Sequence, residues 1–153
     1  MKLSTRTQYG LRMLCQLAAE FSNGPVQMNE IGRREGISEK YLGQIMLILR
    51  SSGLVSSVRG AQGGYYLSRP PDRIGLLEVF EILEGEVLEF GDAAAEAEAV
   101  AADDASERRD TAGSTNIIWT RLRTAVEDSL RAYSLDDAVK LGMYRAGYVD
   151  YRI

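Results

Sequence analysis

The sequence predicts a mainly α-helical fold with a small two-stranded β wing, in which a winged helix-turn-helix is followed by a long dimerisation helix. Three observations predict it. Residues 38–52 place apolar side chains at helical spacing behind a serine that can cap a helix. Two short runs, 54–58 and 65–67, flank a glycine-rich turn, as in a β-hairpin. Residues 115–133 repeat an apolar side chain every four positions, which favours a helix that buries one face.

The first helix is expected to begin at Ser4 or Thr5, because either hydroxyl can accept from a free N–H of the first turn. Asn23-Gly24-Pro25 is a strong helix stop. The predicted apolar stripe consists of Leu11, Leu14, Ala18 and Phe21, with Met13 and Leu17 beside it. This helix is therefore expected to bury one side in the core.

A minimal strand at 26–27 and a short helix over 28–34, anchored by Ile31, are expected next. Gly36-Ile37 forms the turn to the third helix, whose buried face is predicted to contain Leu42, Ile45, Met46 and Leu49. Gly53 can take the left-handed conformation that ends this helix. The hairpin ends at Pro70-Pro71-Asp72, and a fourth helix over 74–83 is expected to bury Leu76, Val79, Phe80 and Leu83.

These patterns divide the chain into four parts. Residues 1–84 form the winged domain with its supporting helix. Residues 85–113 are rich in alanine and acidic residues and poor in bulky apolar ones, which predicts a mobile loop over 91–113 or a solvated helix. The 114–133 segment is the dimerisation helix, with its contact face at Ile118, Leu122, Val126 and Leu130.

The last part, 134–153, is predicted to be a short helix and an aromatic tail. Ser134 and Asp137 have the spacing of a capping box, with Asp in place of the usual Glu. The helix is expected to run through Leu141 and to end at Gly142. An extended segment, MYRAGYVDYRI, follows.

The charge is distributed unevenly along the chain. The net charge is −4, yet residues 1–75 contain ten Lys or Arg against five Asp or Glu, and residues 76–153 contain eight against seventeen. A basic N-terminal half favours contact with phosphates. One cysteine, no apolar run of membrane-spanning length and no signal-peptide pattern predict a reduced, cytoplasmic protein without a membrane partner.

Three segments, STRTQYGLRML, ISEKYLGQ and LVSSVRGAQGGYYL, strongly resemble the Rrf2 family of bacterial transcription regulators. The resemblance is dense over residues 1 to about 85 and looser over 115–153. It implies a homodimeric repressor that binds double-stranded DNA at an operator with two half-sites. A helix of such a protein enters the major groove, and its wing reaches an adjacent minor groove.

The family's pattern also implies which residues contact DNA. The major groove or its phosphates would be contacted by Ser38, Lys40, Tyr41 and Gln44; the wing tip would consist of Arg59, Gly60 and Gln62; and further phosphate contacts would come from Lys2, Arg6, Tyr9 and Arg50. Gly43 departs from this pattern, because several members have there a glutamate that controls specificity. The operator sequence therefore does not follow from the resemblance.

The chain also departs from the family's iron–sulfur members. In those proteins three loop cysteines hold the cluster, with a histidine early in the next helix or a residue near the N-terminus. Here Gly113 stands at the third cysteine position, Asn116 at the histidine position and Gln8 near the N-terminus. Cys15 is the single cysteine and there is no histidine, so no cofactor or metal is expected. The chain thus most resembles the cluster-free branch that controls cysteine metabolism, the CymR type.

The C-terminus extends that resemblance. The terminal isoleucine of a partner protein enters the active site of cysteine synthase, and the CymR type resembles this chain at that end. Cysteine synthase is therefore expected to dock on Tyr151 and Ile153. The alternative is that Tyr148, Val149 and Tyr151 pack on the dimer and Ile153 only ends the chain.

Other functions remain open. A small-molecule sensor would need a pocket between the fourth and fifth helices. A thiol sensor would use Cys15, although its apolar neighbours are more typical of a small buried hydrophobe. A protein-interaction module would need an acidic recognition face, against which Lys40, Arg50 and Arg59 argue. Catalysis is not expected, because the chain has no histidine base and no nucleophile or phosphate-binding motif.

Overall fold

The computed structural model describes residues 3–85 and 111–145, with side chains over 3–85 and 117–142. The elements in chain order are α1 Thr5–Ala19, α2 Met28–Glu35, α3 Glu39–Ser51, β1 Val55–Val58, β2 Gly64–Leu67, a 3-10 turn Pro71–Arg73, α4 Leu76–Glu84, α5 Thr111–Arg131 and α6 Leu135–Arg145. The mainly helical fold with a two-stranded wing is confirmed. No helix within the described ranges is long and apolar enough to cross a bilayer.

Helix α1 begins where the sequence predicts, because the Ser4 hydroxyl accepts from the N–H of Thr7 at 3.2 Å. Its buried face differs from the expected stripe: Leu11 and Ala18 are half-buried, and Phe21 is 40% exposed in the turn beyond Ala19. The buried face instead consists of Thr7, Gly10, Met13, Leu14 and Leu17.

The reason for this shift is the close approach of α4. A Cβ atom at Gly10 would lie 2.6 Å from Leu83 Cδ1, so the absence of a side chain at Gly10 makes room for that leucine. The face of α1 that meets α4 is therefore centred on a glycine, which a pattern of apolar residues does not reveal.

The predicted helix-turn-helix is confirmed in detail. Gly36 ends α2 in the left-handed conformation with a φ of 67°, and the Ser38 hydroxyl then caps α3 by accepting from the N–H of Tyr41. Leu42, Ile45, Met46 and Leu49 are all buried. These four side chains fix which face of α3 is left to solvent.

The wing is an antiparallel pair whose register runs from Val55 opposite Leu67 to Val58 opposite Gly64. The expected minimal strand is a single bridge, in which Val26 and Tyr65 exchange two backbone hydrogen bonds of 2.9 Å. A Cβ at Gly64 would lie 2.5 Å from the Val26 carbonyl oxygen. The base of the wing is thus held against the chain that precedes α2.

The C-terminal helices join the winged domain through backbone pairing. The N–H of Leu76 donates to the carbonyl of Tyr133 at 2.9 Å, and the N–H of Leu135 donates to that of Ile74 at 2.8 Å. The capping box is confirmed: Asp137 accepts from the Ser134 N–H at 2.8 Å, and the Asp137 N–H donates to the Ser134 hydroxyl at 3.2 Å.

Several predicted boundaries are wrong. Helix α5 begins at Thr111, so residues 111–113 of the expected loop are helical, and it ends at Arg131, before Tyr133. Gly142 does not end α6, which continues to Arg145, because a glycine in a helix interior costs only about 1 kcal/mol and α6 packs on α1.

The buried face of α4 is narrower than expected. Val79 and Leu83 are buried, while Leu76 and Phe80 are half-buried. Residues 91–110 of the expected mobile loop and the tail beyond Arg145 lie outside the described residues.

Candidate nucleic-acid interface

The solvent face of α3 carries three of the four residues predicted to contact the major groove. Because the opposite face is buried in the core, Ser38, Lys40 and Gln44 are exposed on this side. Gly43 lies among them, and a Cβ at that position would meet nothing within 4 Å. The helix therefore presents a polar surface with an open position at its centre.

Besides Ser38, which caps α3, the predicted DNA contacts Tyr9 and Tyr41 also have a structural role. The rings of Tyr9 and Tyr41 pack edge to face with their centroids 6.0 Å apart, and both residues are half-buried. The guanidinium of Arg12 lies 5.7 Å from the centre of the Tyr9 ring. Tyr9 and Tyr41 thus connect α1 to the first turn of α3 and help set the direction of the recognition helix.

The wing tip is exposed at Arg59, Gly60 and Gln62, as predicted. Gly60 has a φ of 115°, and its carbonyl accepts from the N–H of Gly63 at 2.9 Å, which closes the turn. The Gln27 amide donates to the Ala61 carbonyl at 3.2 Å and fastens the tip to the residue before α2. The turn that carries Arg59 is therefore held in place by these two hydrogen bonds.

A groove of about 560 Å³ separates α3 from the wing, and Leu47, Arg50, Ser51, Ser57 and Tyr66 are among the residues that line it. Leu47 is 66% exposed. Sequence reasoning placed this leucine off the buried face but assigned it no role. The sequence did contain a sign of such a role, because Leu47 is an apolar residue three positions after Gln44 on an otherwise polar helix face.

The three cations of this surface have no carboxylate partner, a property that they share with Arg33 and Arg73 among the described residues. Among the residues that the structure describes, Lys40, Arg50 and Arg59 make no ion pair. Ion pairs instead occupy Arg12, Arg34, Arg69, Arg131 and Lys140. A cation without a carboxylate partner is available for a phosphate.

The remaining predicted phosphate contacts lie elsewhere. Arg6 is exposed in the first turn of α1. Hydrogen bonds from Ser4 and Thr7 lower the pKa of the half-buried Glu84, and the charge of Arg6 adds to this effect. Lys2 lies outside the described residues.

Cys15 is half-buried on α1. Burial, together with the negative charge of Glu35, raises the pKa of its thiol to about 11. A thiol with a raised pKa is mostly protonated at neutral pH and is a weak nucleophile and metal ligand. Within residues 3–85 and 111–145, no group of three or more His, Cys, Asp or Glu side chains could hold a metal ion.

The positions implied for cluster ligands have other surroundings here. Gly113 and Asn116 lie in the first turns of α5. Gln8 is exposed, and its amide donates to the Leu3 carbonyl at 3.2 Å. Since an iron–sulfur cluster needs thiolates and this chain has one cysteine and no histidine, the residues present do not fit such a cluster.

The predicted dimerisation face lies on α5. Ile118 is 60% exposed and Leu122 is 44% exposed, while Val126 and Leu130 are half-buried. Ile117 and Trp119 add further exposed apolar surface beside them. An apolar helix face of this kind is typical of a contact with another chain.

The known sequences that are similar to this chain belong to one family of regulators. A sequence profile of the Rrf2 family, described as an iron-dependent transcriptional regulator, matches residues 3–141. The regulator CymR of Bacillus subtilis is 35% identical over 142 residues, which is 90% of this chain and 88% of CymR. The regulator IscR of Xenorhabdus nematophila is 32% identical and covers 92% of this chain and 80% of its own length.

Solved structures agree with these relatives. The structure of CymR, the global cysteine regulator of B. subtilis, superimposes with a TM-score of 0.73 at 31% identity, over 98% of this chain and 99% of that one. The structure of IscR from T. potens has a TM-score of 0.71 at 36% identity, over 93% and 88%. Both the helical arrangement and the wing are therefore shared with known regulators.

Proposed function

This chain belongs to the Rrf2 family of transcriptional regulators, and we propose that it is a homodimeric, sequence-specific DNA-binding repressor that works without an iron–sulfur cluster. One observation carries the DNA contact: Lys40 and Arg50 on α3 and Arg59 on the wing are exposed and unpaired among the described residues. These cations lie on and beside the recognition helix, whose exposed face is polar. This combination favours phosphate contact beside base readout.

In this proposal α3 lies in the major groove. Gln44 can hold adenine with two hydrogen bonds, and Lys40 can reach guanine or a phosphate. Leu47, exposed three positions after Gln44, can contact the methyl group of thymine. The wing places Arg59 at the adjacent minor groove, and Arg50 contacts a phosphate.

The homodimer would form through α5. Ile118 and Leu122 are exposed there in a single chain, and burying them against a second copy removes that apolar surface from water. A dimer with two recognition helices matches an operator with two half-sites.

The absence of a cluster follows from the available ligands. The family is described as iron-dependent, but Cys15 is the single cysteine and carries a raised pKa. Protein purified without oxygen is therefore expected to be colourless and to bind DNA equally with and without added iron and sulfide. A charge-transfer band with stoichiometric iron after reconstitution would contradict this.

The regulated pathway is proposed from the relatives. CymR of B. subtilis, the global cysteine regulator of that organism, is similar over almost the whole chain. Control of cysteine or sulfur metabolism is therefore the favoured role. Docking of cysteine synthase on Tyr151 and Ile153 depends on residues outside the described ones and stays a prediction from sequence.

A salt series with an operator fragment from the gene's own promoter tests the proposal. Affinity should fall steeply as salt rises, because bound phosphates release counterions. Arg59→Ala should weaken binding by about 1–3 kcal/mol. Arg73→Ala is the matched control, because this exposed arginine lies on the 3-10 turn that packs against α6. No binding to any promoter fragment at low salt would contradict the proposal.

A further inference from the structure

An open cavity of about 700 Å³ lies between α1, α2 and α6. Its apolar wall consists of Leu11, Cys15 and Ala19 from α1 with Ala138 and Val139 from α6. It lies away from the junction of α4 and α5, where the sequence predicts a sensor pocket. The size and the apolar wall are those of a site for a small molecule, which usually combines such a wall with a few polar groups.

The polar groups at this cavity are arranged around one carboxylate. The Gln16 amide nitrogen donates to one oxygen of Glu35 at 2.5 Å, and the Arg12 guanidinium approaches the other oxygen at 3.4 Å. The first bond fixes the orientation of the amide, since the reverse orientation would set two oxygens against each other. Gln16 Oε1 is therefore an acceptor in need of a donor.

That acceptor has no donor among the described residues. Gln16 Oε1 is buried and makes no hydrogen bond there. Because it is buried, a ligand in the cavity cannot reach this oxygen, and the polar groups open to a ligand are those of Arg12 and Glu35.

Two arginines border the cavity, but only one is available. Arg34 is paired with Glu20 at 3.6 Å and with Glu30 at 2.5 Å. The Arg12 side chain is 57% exposed and has a single long ion pair with Glu35. A guanidinium has five N–H donors, so Arg12 can hold a further carboxylate.

We infer that this cavity binds a free α-amino acid with an uncharged, mainly apolar side chain. The ligand's carboxylate pairs with Arg12, and its ammonium group donates to the Glu35 carboxylate. Its side chain packs on Leu11 and Val139. The site offers a cation and an anion at one end and an apolar wall at the other, which matches a zwitterion on an apolar body.

Other small ligands fit this arrangement less well. An aliphatic carboxylic acid brings no cation to Glu35, and an aliphatic amine brings no further anion to Arg12. A phosphate would be repelled by the Glu35 carboxylate, because both groups are negatively charged. Cys15 contributes apolar surface, because its thiol is protonated at neutral pH.

The position of the cavity gives the ligand a means of regulation. One wall belongs to α1 and α2 of the winged domain, and the other belongs to α6, which directly follows the proposed dimerisation helix. A ligand that bridges them favours one arrangement of these parts over others. This consequence rests on the proposed function, whereas the binding itself does not.

Isothermal titration calorimetry on the full chain tests the binding. The probes are leucine, isoleucine, valine and methionine, with 4-methylpentanoate and 3-methylbutylamine as analogues of leucine that lack the ammonium or the carboxylate. At least one amino acid should bind saturably at one per chain, and each analogue of leucine should bind at least about tenfold more weakly than leucine, or not at all.

Two variants locate the site. Arg12→Gln removes the anion partner and Val139→Trp fills the cavity, and both should weaken amino-acid binding at least about tenfold. Arg33→Gln is the control, because this exposed arginine of α2 does not line the cavity, and it should bind within about twofold of the wild type. Circular dichroism confirms that each variant is folded.

The inference is overturned if no amino acid of the panel binds, if 4-methylpentanoate binds as tightly as leucine, or if folded Arg12→Gln and Val139→Trp both bind like the wild type. Operator binding measured on the same preparation keeps the two proposals separate. Amino-acid binding by a protein that binds no operator would support the site and contradict only the regulatory role.

Discussion

The carboxylate of Glu84, the last residue of α4, accepts hydrogen bonds from the backbone N–H of Ser4 at 3.0 Å and from the Ser4 hydroxyl at 2.5 Å. The Thr7 hydroxyl donates to the same carboxylate. Ser4 is also the residue that caps α1. The start of α1 and the end of α4 are therefore fastened by one charged group.

This arrangement predicts a pH-dependent contribution to stability. Partial burial raises the pKa of Glu84, but the hydrogen bonds from Ser4 and Thr7, with the charge of Arg6, outweigh it and lower the pKa. A pKa lower in the folded than in the unfolded chain adds stability above the unfolded value of about 4.3, which is lost as the pH falls through the folded value.

Replacement of Glu84 by glutamine tests this contribution. Glu84→Gln should lower the free energy of unfolding by about 1–2 kcal/mol at pH 7, and the difference from wild type should shrink below about pH 4. Urea denaturation at several pH values measures it. Glu81→Gln, an exposed carboxylate on the same helix, should have little effect at any pH. An equal loss at all pH values would contradict the assignment.

Two glycines should respond in opposite directions to alanine. Gly43→Ala should raise the free energy of unfolding by up to about 1 kcal/mol, because the position is helical and open. Gly64→Ala should lower it by about 1–3 kcal/mol, because its Cβ would collide with the Val26 carbonyl. Thermal and urea unfolding compare the two, and a loss of stability in Gly43→Ala would show that the helix face is not free.

Leu47 and Arg50 should contribute to DNA binding in different ways. Leu47→Ser should weaken binding to the operator by about 1 kcal/mol while leaving the salt slope unchanged, because an apolar contact with thymine involves no phosphate. Arg50→Ala should reduce the salt slope by about one phosphate contact and weaken operator and unrelated DNA alike. Fluorescence anisotropy across salt concentrations separates them. A Leu47→Ser variant that binds the operator like the wild type would exclude a reading role for this leucine.

A charge on the exposed face of α5 should dissociate the dimer. Leu122→Glu places a carboxylate among apolar side chains and should yield monomers with strongly reduced operator affinity. Thr124→Glu, an exposed residue two positions further on the same helix, is the control and should remain dimeric. Sedimentation equilibrium distinguishes them, and a Leu122→Glu dimer with wild-type stability would exclude this face as the interface.

Local patterns in the sequence were sufficient to predict the recognition unit. Ser38 caps α3 and Leu42, Ile45, Met46 and Leu49 are buried, as their spacing indicates. The polar face with Lys40 and Gln44 follows, because polar side chains opposite an apolar stripe favour exposure to solvent. The capping box of Ser134 and Asp137 was predictable for the same reason, since both partners lie within one turn.

Only the tertiary structure decided which distant residues meet. Gly10 belongs to the contact between α1 and α4 because Leu83 packs against it. The pKa of Glu84 is lowered because Ser4 and Thr7 donate hydrogen bonds to its carboxylate. The cavity between α1, α2 and α6 exists because α6 packs beside α1. Caps and periodicity depend on neighbours in the chain, whereas these contacts depend on how separate helices pack, and that placement is set by the whole core.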